Sequence, residues 1–504
     1  MAKPIGFDCE KYLDEQRAAI LERVGRFEKL YIEFGGKLIF DYHAARVLPG
    51  FDPNAKIRLL QKLKAQTAII LCVYAGDIER RKMRADFGIT YDSDTLKLID
   101  DLRGWGLDVS AVVMTRFHES MHAAVGFKNK LERRGLRVHT HPETPGYPQD
   151  VDRILSDRGF GAHSFVETDK PLVAVIAPGP NSGKMSTCLS QLFHEHKRGI
   201  HAGYAKFETF PIWNIPLKHP VNAAYEAATA DLHDINLIDP FHLEAYGKTA
   251  INYNRDVALF PLLKRILTRL MGEAVYQSPT DMGVNRAGFA IVDDAAVREA
   301  ARQEVIRRYF RTSCEYALGA GEKATVERVE GILEELNLRP ENRSVVEPAR
   351  QAAAEAVAAG KGFQGICCGA ALELPDGTIV AGKNSALFHA ASSLVLNAIK
   401  HLAGIPDKLH LLPPAITQSI AAMKENLLNK KNPSLDVEEM LIALSISAMS
   451  NPAAQMAMER LPELKGCEVH LSHIPPAGDE TGLRRLGVNL TSDPLFPSQD
   501  LYVV

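Results

Sequence analysis

A chain of 504 residues is too long for one ordinary core, and its 46% hydrophobic and 24% charged residues are the proportions of folded rather than disordered protein. A net charge of -3 supplies no field to gather nucleic acid or an anionic membrane, and no run approaches the roughly eighteen apolar residues of a membrane span. The opening MAKPIGFDCEKYLDEQ lacks a signal-type apolar core, so a cytoplasmic protein that meets small molecules is expected. Seven cysteines without C-x-x-C pairs do not form a disulfide framework or a zinc knuckle.

In chain order, TAIILCVYA, VSAVVM and LRVHTH are short apolar runs separated by charged, helix-like segments such as FKNKLERRG, which is βαβαβ grammar. PLVAVIAP, GIHAGYA, INLIDP and FAIVDD continue as strand candidates. A mostly parallel α/β sheet domain is therefore expected over residues 1–310. A helical connector follows over 311–342, closed by the Pro/Asn punctuation of LNLRPENRS. A second α/β/α domain is expected over 343–504, with a helix (EPARQAAAEAVAAG), a strand hairpin through PDG, a helix from about Ala386 and the strand CEVHLSH. The apolar run 438–461 reads as one long helix, either core or the face of a homo-oligomer.

The run IAPGPNSGKMST lies between PLVAVIAP and the helix-like CLSQLFHEHKRG. A P-loop, G-x-x-x-x-G-K-[ST], occupies the same strand-to-helix setting, where amides and a lysine surround phosphates and a hydroxyl holds Mg²⁺. Here Pro178 replaces the first glycine and Met185 the adjacent hydroxyl. The candidate phosphate-binding set is Gly179, Asn181, Ser182, Gly183, Lys184, Ser186 and Thr187, with ATP and Mg²⁺ as expected ligands and no resident metal. Asp239 of INLIDP or Asp293 of FAIVDD would hold the metal's water from a neighbouring strand end, and Arg255 would stabilise transferred charge. Lys206, Glu208, His219, Asn222, Asp231, His233, Asp234, His242 and Arg255, set among aromatics, suit a polar cleft or a set of surface loops.

HESMH, His118 to His122, matches H-E-x-x-H, which on a helix sets two imidazoles one turn apart for zinc. No third ligand is evident and Val125 breaks the longer metzincin pattern, so zinc is not expected and a peptidase is the weakest reading.

The order of elements in the second domain is similar to that of the cytidine deaminases, in which H-x-E and P-C-x-x-C supply zinc ligands and a proton shuttle. The corresponding positions here read His389-Ala390-Ala391 and Pro413-Pro414-Ala415-Ile416-Thr417, without thiolates or the glutamate. That resemblance implies a deaminase-like domain without its zinc motif, and leaves either a pocket near Lys383, Asn384, Ser385 and His389 or a packing module.

KFETFPIWNIPLKHPVNAAYEAATADL, INYNRDV, YQSPTDMGVN, FHAASSLVLNAIK and ALSISAMSNPAAQMA together resemble the bacterial uncharacterised protein family 0371, which carries the domain of unknown function 1846. The likeness spans the chain and implies no established activity. The family's loop usually reads GPGSGK, so Asn181 stands where a glycine is usual, and asparagine adopts positive φ less freely. The reading that follows is a binder of a nucleotide or other phosphorylated small molecule, with phosphotransfer as its enzymatic form. The alternative is a non-catalytic ligand-binding or assembly protein.

Overall fold

A computed structural model describes residues 4–84 and 88–498. The chain forms two compact units, one of Ile5–Glu226 with Asp234–Ala301, the other of Ala227–His233 with the chain from Arg302 onward. The division falls inside the helix Asp294–Ala317.

The first unit is built on seven parallel strands: β1 (Lys29–Phe34), β2 (Thr67–Tyr74), β3 (Ala111–Thr115), β4 (Val138–His141), β5 (Leu172–Ile176), β6 (Ala202–Phe207) and β7 (Gly283–Val284). Their order is β7-β6-β1-β5-β2-β3-β4. Strands β3 and β5 are buried at every residue, which explains why AVVMT and LVAVI are unbroken apolar runs: helices cover both faces of a parallel sheet. Helix α1 (Cys9–Val24) precedes the sheet, and α2 (Ala55–Leu63) lies on the β1-to-β2 connection. Helix α3 (Tyr91–Gly104) lies between β2 and β3, and α4 (Lys184–Lys197) joins β5 to β6. Cys188, Leu189 and Leu192 of α4 share a core with Tyr31, Val173, Val175 and Tyr204, and with Phe260 and Leu263 of α5 (Asn254–Met271).

Two strand expectations are corrected. INLIDP supplies Asn236–Ile238, but this pairs antiparallel with Ile251–Tyr253 in a separate two-stranded ribbon. FAIVDD is a 3₁₀ turn (Ala287–Ala290) followed by one isolated bridge from Ile291 to Phe7, because too few residues separate it from the following helix to extend a ladder. Conversely, KLYIEF and Gly283–Val284 are strands that the apolar-run reading did not include.

The second unit carries the strands β8 (Gly369–Glu373), β9 (Ile379–Lys383), β10 (Glu468–Leu471) and β11 (Asn489–Ser492) in the order β9-β8-β10-β11. β8 is antiparallel to both neighbours and β10 is parallel to β11. Helix α6 (Val346–Ala358) packs Ala349 against Ala371, while Ala370 and Leu372 face the core containing Leu394 and Val395 of α7 (Ala390–Leu402). Close approach fixes Gly382, where an added Cβ would sit 2.5 Å from the Ala390 carbonyl. Helix α7 starts at Ala390 rather than near Ala386. The run 438–461 is two helices, Val437–Ala448 and Pro452–Met458, because Asn451 caps the second and Pro452 cannot continue the first. Among the described residues no helix is long and apolar enough to cross a membrane.

Candidate functional site: the crevice between β1 and β5

Strand β1 sends the chain past β5 to β2, whereas β5 sends it past β1 to β6. With right-handed crossovers the two connections leave on opposite faces, so a crevice opens at the carboxyl ends of β1 and β5, where ligands of open α/β sheets bind. The GPNSGK loop sits at this switch point.

The loop is shaped by left-handed residues, Asn181 at φ 56° and Gly183 at φ 85°. The position that gave concern in the sequence does require positive φ, and asparagine adopts it. Gly183 is required twice over, since an added Cβ would lie 2.8 Å from Thr115 Cγ2. Gly179 has a packing reason instead: the Tyr91 ring comes within 2.5 Å of where its Cβ would be.

The loop carbonyls are tied off. Ser182 Oγ donates to the Gly179 carbonyl at 2.7 Å, Thr115 Oγ1 to that of Ser182 at 2.8 Å, and Arg116 Nη2 to that of Asn181 at 2.6 Å. Arg116 is itself held 3.5 Å above the Tyr74 ring. Among the described residues the amides of Asn181 through Ser186 donate to no protein acceptor. The result is a concave set of N–H donors at the amino end of a 14-residue helix, the arrangement that attracts anions.

Lys184 follows directly, with Nζ 3.8 Å from Glu33 Oε1, a long contact between side chains only 12% and 13% exposed. Glu33 pairs in register with Lys206 on β6 and Val175 on β5, and accepts a 3.0 Å hydrogen bond from the Tyr204 hydroxyl. Beside it Lys206 bonds Asp256 and the Tyr253 hydroxyl, and lies 2.9 Å from Glu208. Burial, with the Asp256 charge adding to it against the pull of Lys206, pushes the Glu208 carboxyl up to about 7. Lys206 thus sits between Glu208 and Asp256, in register with Glu33 on the neighbouring strand. Glu33 was missed with its strand; its signal is a carboxylate set within LYIEF, two residues before Gly35.

Ser186 is half-buried at the helix start, but Thr187 is fully buried and its hydroxyl accepts from Cys72 Sγ at 3.3 Å, facing the core. Arg255 forks onto Asp234 at 2.5 and 2.9 Å and stands over the Tyr253 ring, so it joins the Lys206 cluster through that ring. Asp239 is fully buried at the ribbon's end, accepting from the amides of Phe241 and His242 and the hydroxyl of Thr280. Asp293 accepts from the amides of Ala295 and Ala296. These last two cap helices and lie on no strand of the main sheet, so the strand-end placement expected for them is not observed. Of the polar-cleft residues, Lys206 and Glu208 come together and Asp234 holds Arg255, whereas His219 pairs with Asp294, Asn222 with the Ile212 backbone, and Asp231 and His233 belong to the other unit. HESMH is not helical throughout: His118 bonds Ser120 in a turn and α-helix begins only at His122, so the one-turn spacing of two imidazoles is absent.

In the second unit His389 caps α7, and its Nδ1 lies 2.8 Å from Asp479 Oδ2. A carboxylate only accepts, so Nδ1 carries the proton and Nε2 accepts from Asn432 Nδ2 at 3.3 Å. Asn384 is spent on the Cys368 amide and the Ile366 carbonyl, and Ser385 Oγ on the Leu387 and Phe388 amides. No group of three metal-binding side chains is found among the described residues.

Comparison with known proteins covers both units. Residues 5–337 match the N-terminal domain of unknown function DUF1846, and residues 341–502 match its C-terminal counterpart. A UPF0371 protein of Clostridioides difficile (strain 630) is 56% identical over 499 residues, 99% of each chain. A UPF0371 protein of Clostridium botulinum (strain 657 / Type Ba4) is 57% identical over the same span. Identity at this level over the full length of both chains leaves no part of either unit outside the relationship: the chain belongs to the UPF0371 family.

Proposed function

We propose that the first unit binds a phosphorylated small molecule, with Mg·ATP as the leading ligand, in the crevice between β1 and β5. One observation carries the reading: a loop whose carbonyls are satisfied within the protein and whose six consecutive amides, with Lys184, are not matched by any carboxylate closer than 3.8 Å. In this reading Asn181, Ser182 and Gly183 present amides to phosphate oxygens, Lys184 neutralises their charge, and Ser186 supplies the hydroxyl for Mg²⁺ with Glu33 holding a metal-bound water. If phosphate is transferred, Arg255 would stabilise the developing charge, and Glu208, whose carboxyl burial raises to about 7, would be the group to give or take a proton. The adjoining cleft, lined by Lys37, Phe40, Asp94, Lys97 and Pro178 among others, holds about 40 Å³, room for water rather than a purine. Calorimetric titration with Mg·ATP tests this. Saturable binding that Lys184→Ala abolishes without lowering the unfolding temperature supports the site, and unchanged affinity in Lys184→Ala refutes it.

For the second unit, the order helix, hairpin, helix and then, after three further helices, strand, helix, strand, with β8 internal to the sheet, supports a deaminase-like domain that has lost its zinc chemistry. The observation favouring a non-catalytic role is His389, whose two nitrogens are both engaged by protein partners. Zinc analysis after dialysis against the metal tests it: stoichiometric zinc lost in His389→Ala would overturn it. Ile442, Ile446 and Met449, exposed along one helical stripe, make self-association a corollary that light scattering checks.

A further inference from the structure

A cavity of about 310 Å³ flanks the edge strand β7 within the first unit, at the lower end of the roughly 300–1,000 Å³ typical of small-molecule sites. It lies apart from the GPNSGK loop in its lining, which includes Arg23, Arg286, Trp213, His242 and Tyr246. The rings run in series: Tyr246 to His242 at 4.8 Å between centroids, His242 to Trp213 at 6.2 Å, and Trp213 to Phe289 at 6.1 Å. The Arg286 guanidinium then stands 5.0 Å over Phe289. Neighbouring rings are tilted by 49–59° and so do not stack on one another, leaving ring faces for a planar guest.

The charges divide unequally. Glu22 is paired with Arg26, and Asp281 accepts from the Tyr246 hydroxyl and the amides of Gln277 and Ser278. Arg23 spends two N–H groups on the neutral carbonyls of Met282 and Gly283, and Arg286 has only a ring beneath it. Among the described residues neither guanidinium has a carboxylate within ion-pair distance. Two guanidinium forks without counter-ions at the wall of an aromatic-lined cavity call for an anionic oxygen group.

We propose that this cavity is a second ligand site, taking a small organic anion in which a planar ring carries a carboxylate or a phosphate. The ring lies along Trp213, His242 and Tyr246, and the anionic group meets Arg23 and Arg286.

Isothermal titration of the full chain with 4-hydroxybenzoate and, separately, AMP tests the proposal, adenosine and inorganic phosphate serving as half-ligands. At least one anion is expected to bind saturably, with each half-ligand about tenfold weaker or more, and with a change in Trp213 emission in a Trp105→Phe background. Arg286→Ala, which removes a side chain held only by a ring contact, is expected to weaken binding about tenfold, and Tyr246→Ala, at a half-exposed position, to weaken it too. Lys184→Ala leaves this binding unchanged, which separates the site from the crevice. Absence of saturable binding by both anions overturns the proposal, as does affinity that survives both cavity variants. AMP binding lost in Lys184→Ala but kept in Arg286→Ala belongs to the crevice and overturns the phosphate form.

Discussion

The GPNSGK loop and the His389 turn are both junctions where a helix begins beside a sheet, yet they differ in what is left over. At His389 each polar group has its partner: Asp479 fixes one ring nitrogen, Asn432 the other, and Asn384 and Ser385 close onto the backbone. At Gly183 the carbonyls are closed in the same way but the amides are not, and Lys184 has only the long 3.8 Å contact with Glu33. Amides at a helix start have no intrahelical acceptor, and on the proposed reading these are the donors that a phosphate would take. If the proposed function holds, this contrast is what distinguishes a binding junction from a packing one.

The largest test of that contrast is Lys184→Ala. A loss of Mg·ATP affinity of about 100-fold or more is expected by calorimetry, about 2.7 kcal/mol, with little change in stability. Next is Gly183→Ala, where a positive φ and a 2.8 Å approach to Thr115 predict destabilisation of roughly 1–3 kcal/mol together with weakened binding. Urea unfolding and titration of the same preparation read both effects. At the opposite pole, Asp479→Asn should cost roughly 1–3 kcal/mol, since it weakens the partner of the His389 ring and the acceptor of the Val437 amide. It should leave Mg·ATP affinity where it was, and a change there would erase the distinction drawn between the two junctions.

The smallest expected effect is a pH dependence away from both sites. His141 and His163 stack at 4.4 Å, and burial lowers their imidazoles to about 3 and about 4. Their folded-state values lie below the ordinary 6.5, so the unfolded chain takes up protons first. Stability from this pair is complete above pH 6.5 and declines as pH falls toward about 3. His141→Gln should flatten that acid limb in thermal melts, and an unaltered limb would remove the pair from the account.

Much of the first unit was legible because the central strands of a parallel sheet are covered on both faces and read as apolar runs, as in AIILCV and LVAVI. β1 was not, since KLYIEF carries charges at two of six positions, and one of them, Glu33, belongs to the site. The loop and Lys184 were readable from local spelling, whereas Glu33 meets Lys206 only through strand order and register, and Tyr253 and Asp256 reach Lys206 from the ribbon and from α5. Asp239 and Asp293 illustrate the reverse: each ends an apolar stretch, but helix capping produces the same spelling as a metal-binding strand end. HESMH fails for a related reason, because four-residue spacing has meaning only once the segment is helical, and His118 lies before the helix.

The most direct measurement is amide hydrogen exchange at residues 181–186 with and without saturating Mg·ATP, read by mass spectrometry on overlapping peptides. Slower exchange in that segment, lost in Lys184→Ala, is what an amide-lined phosphate site predicts. Ligand binding that leaves those amides exchanging at their original rate would contradict it.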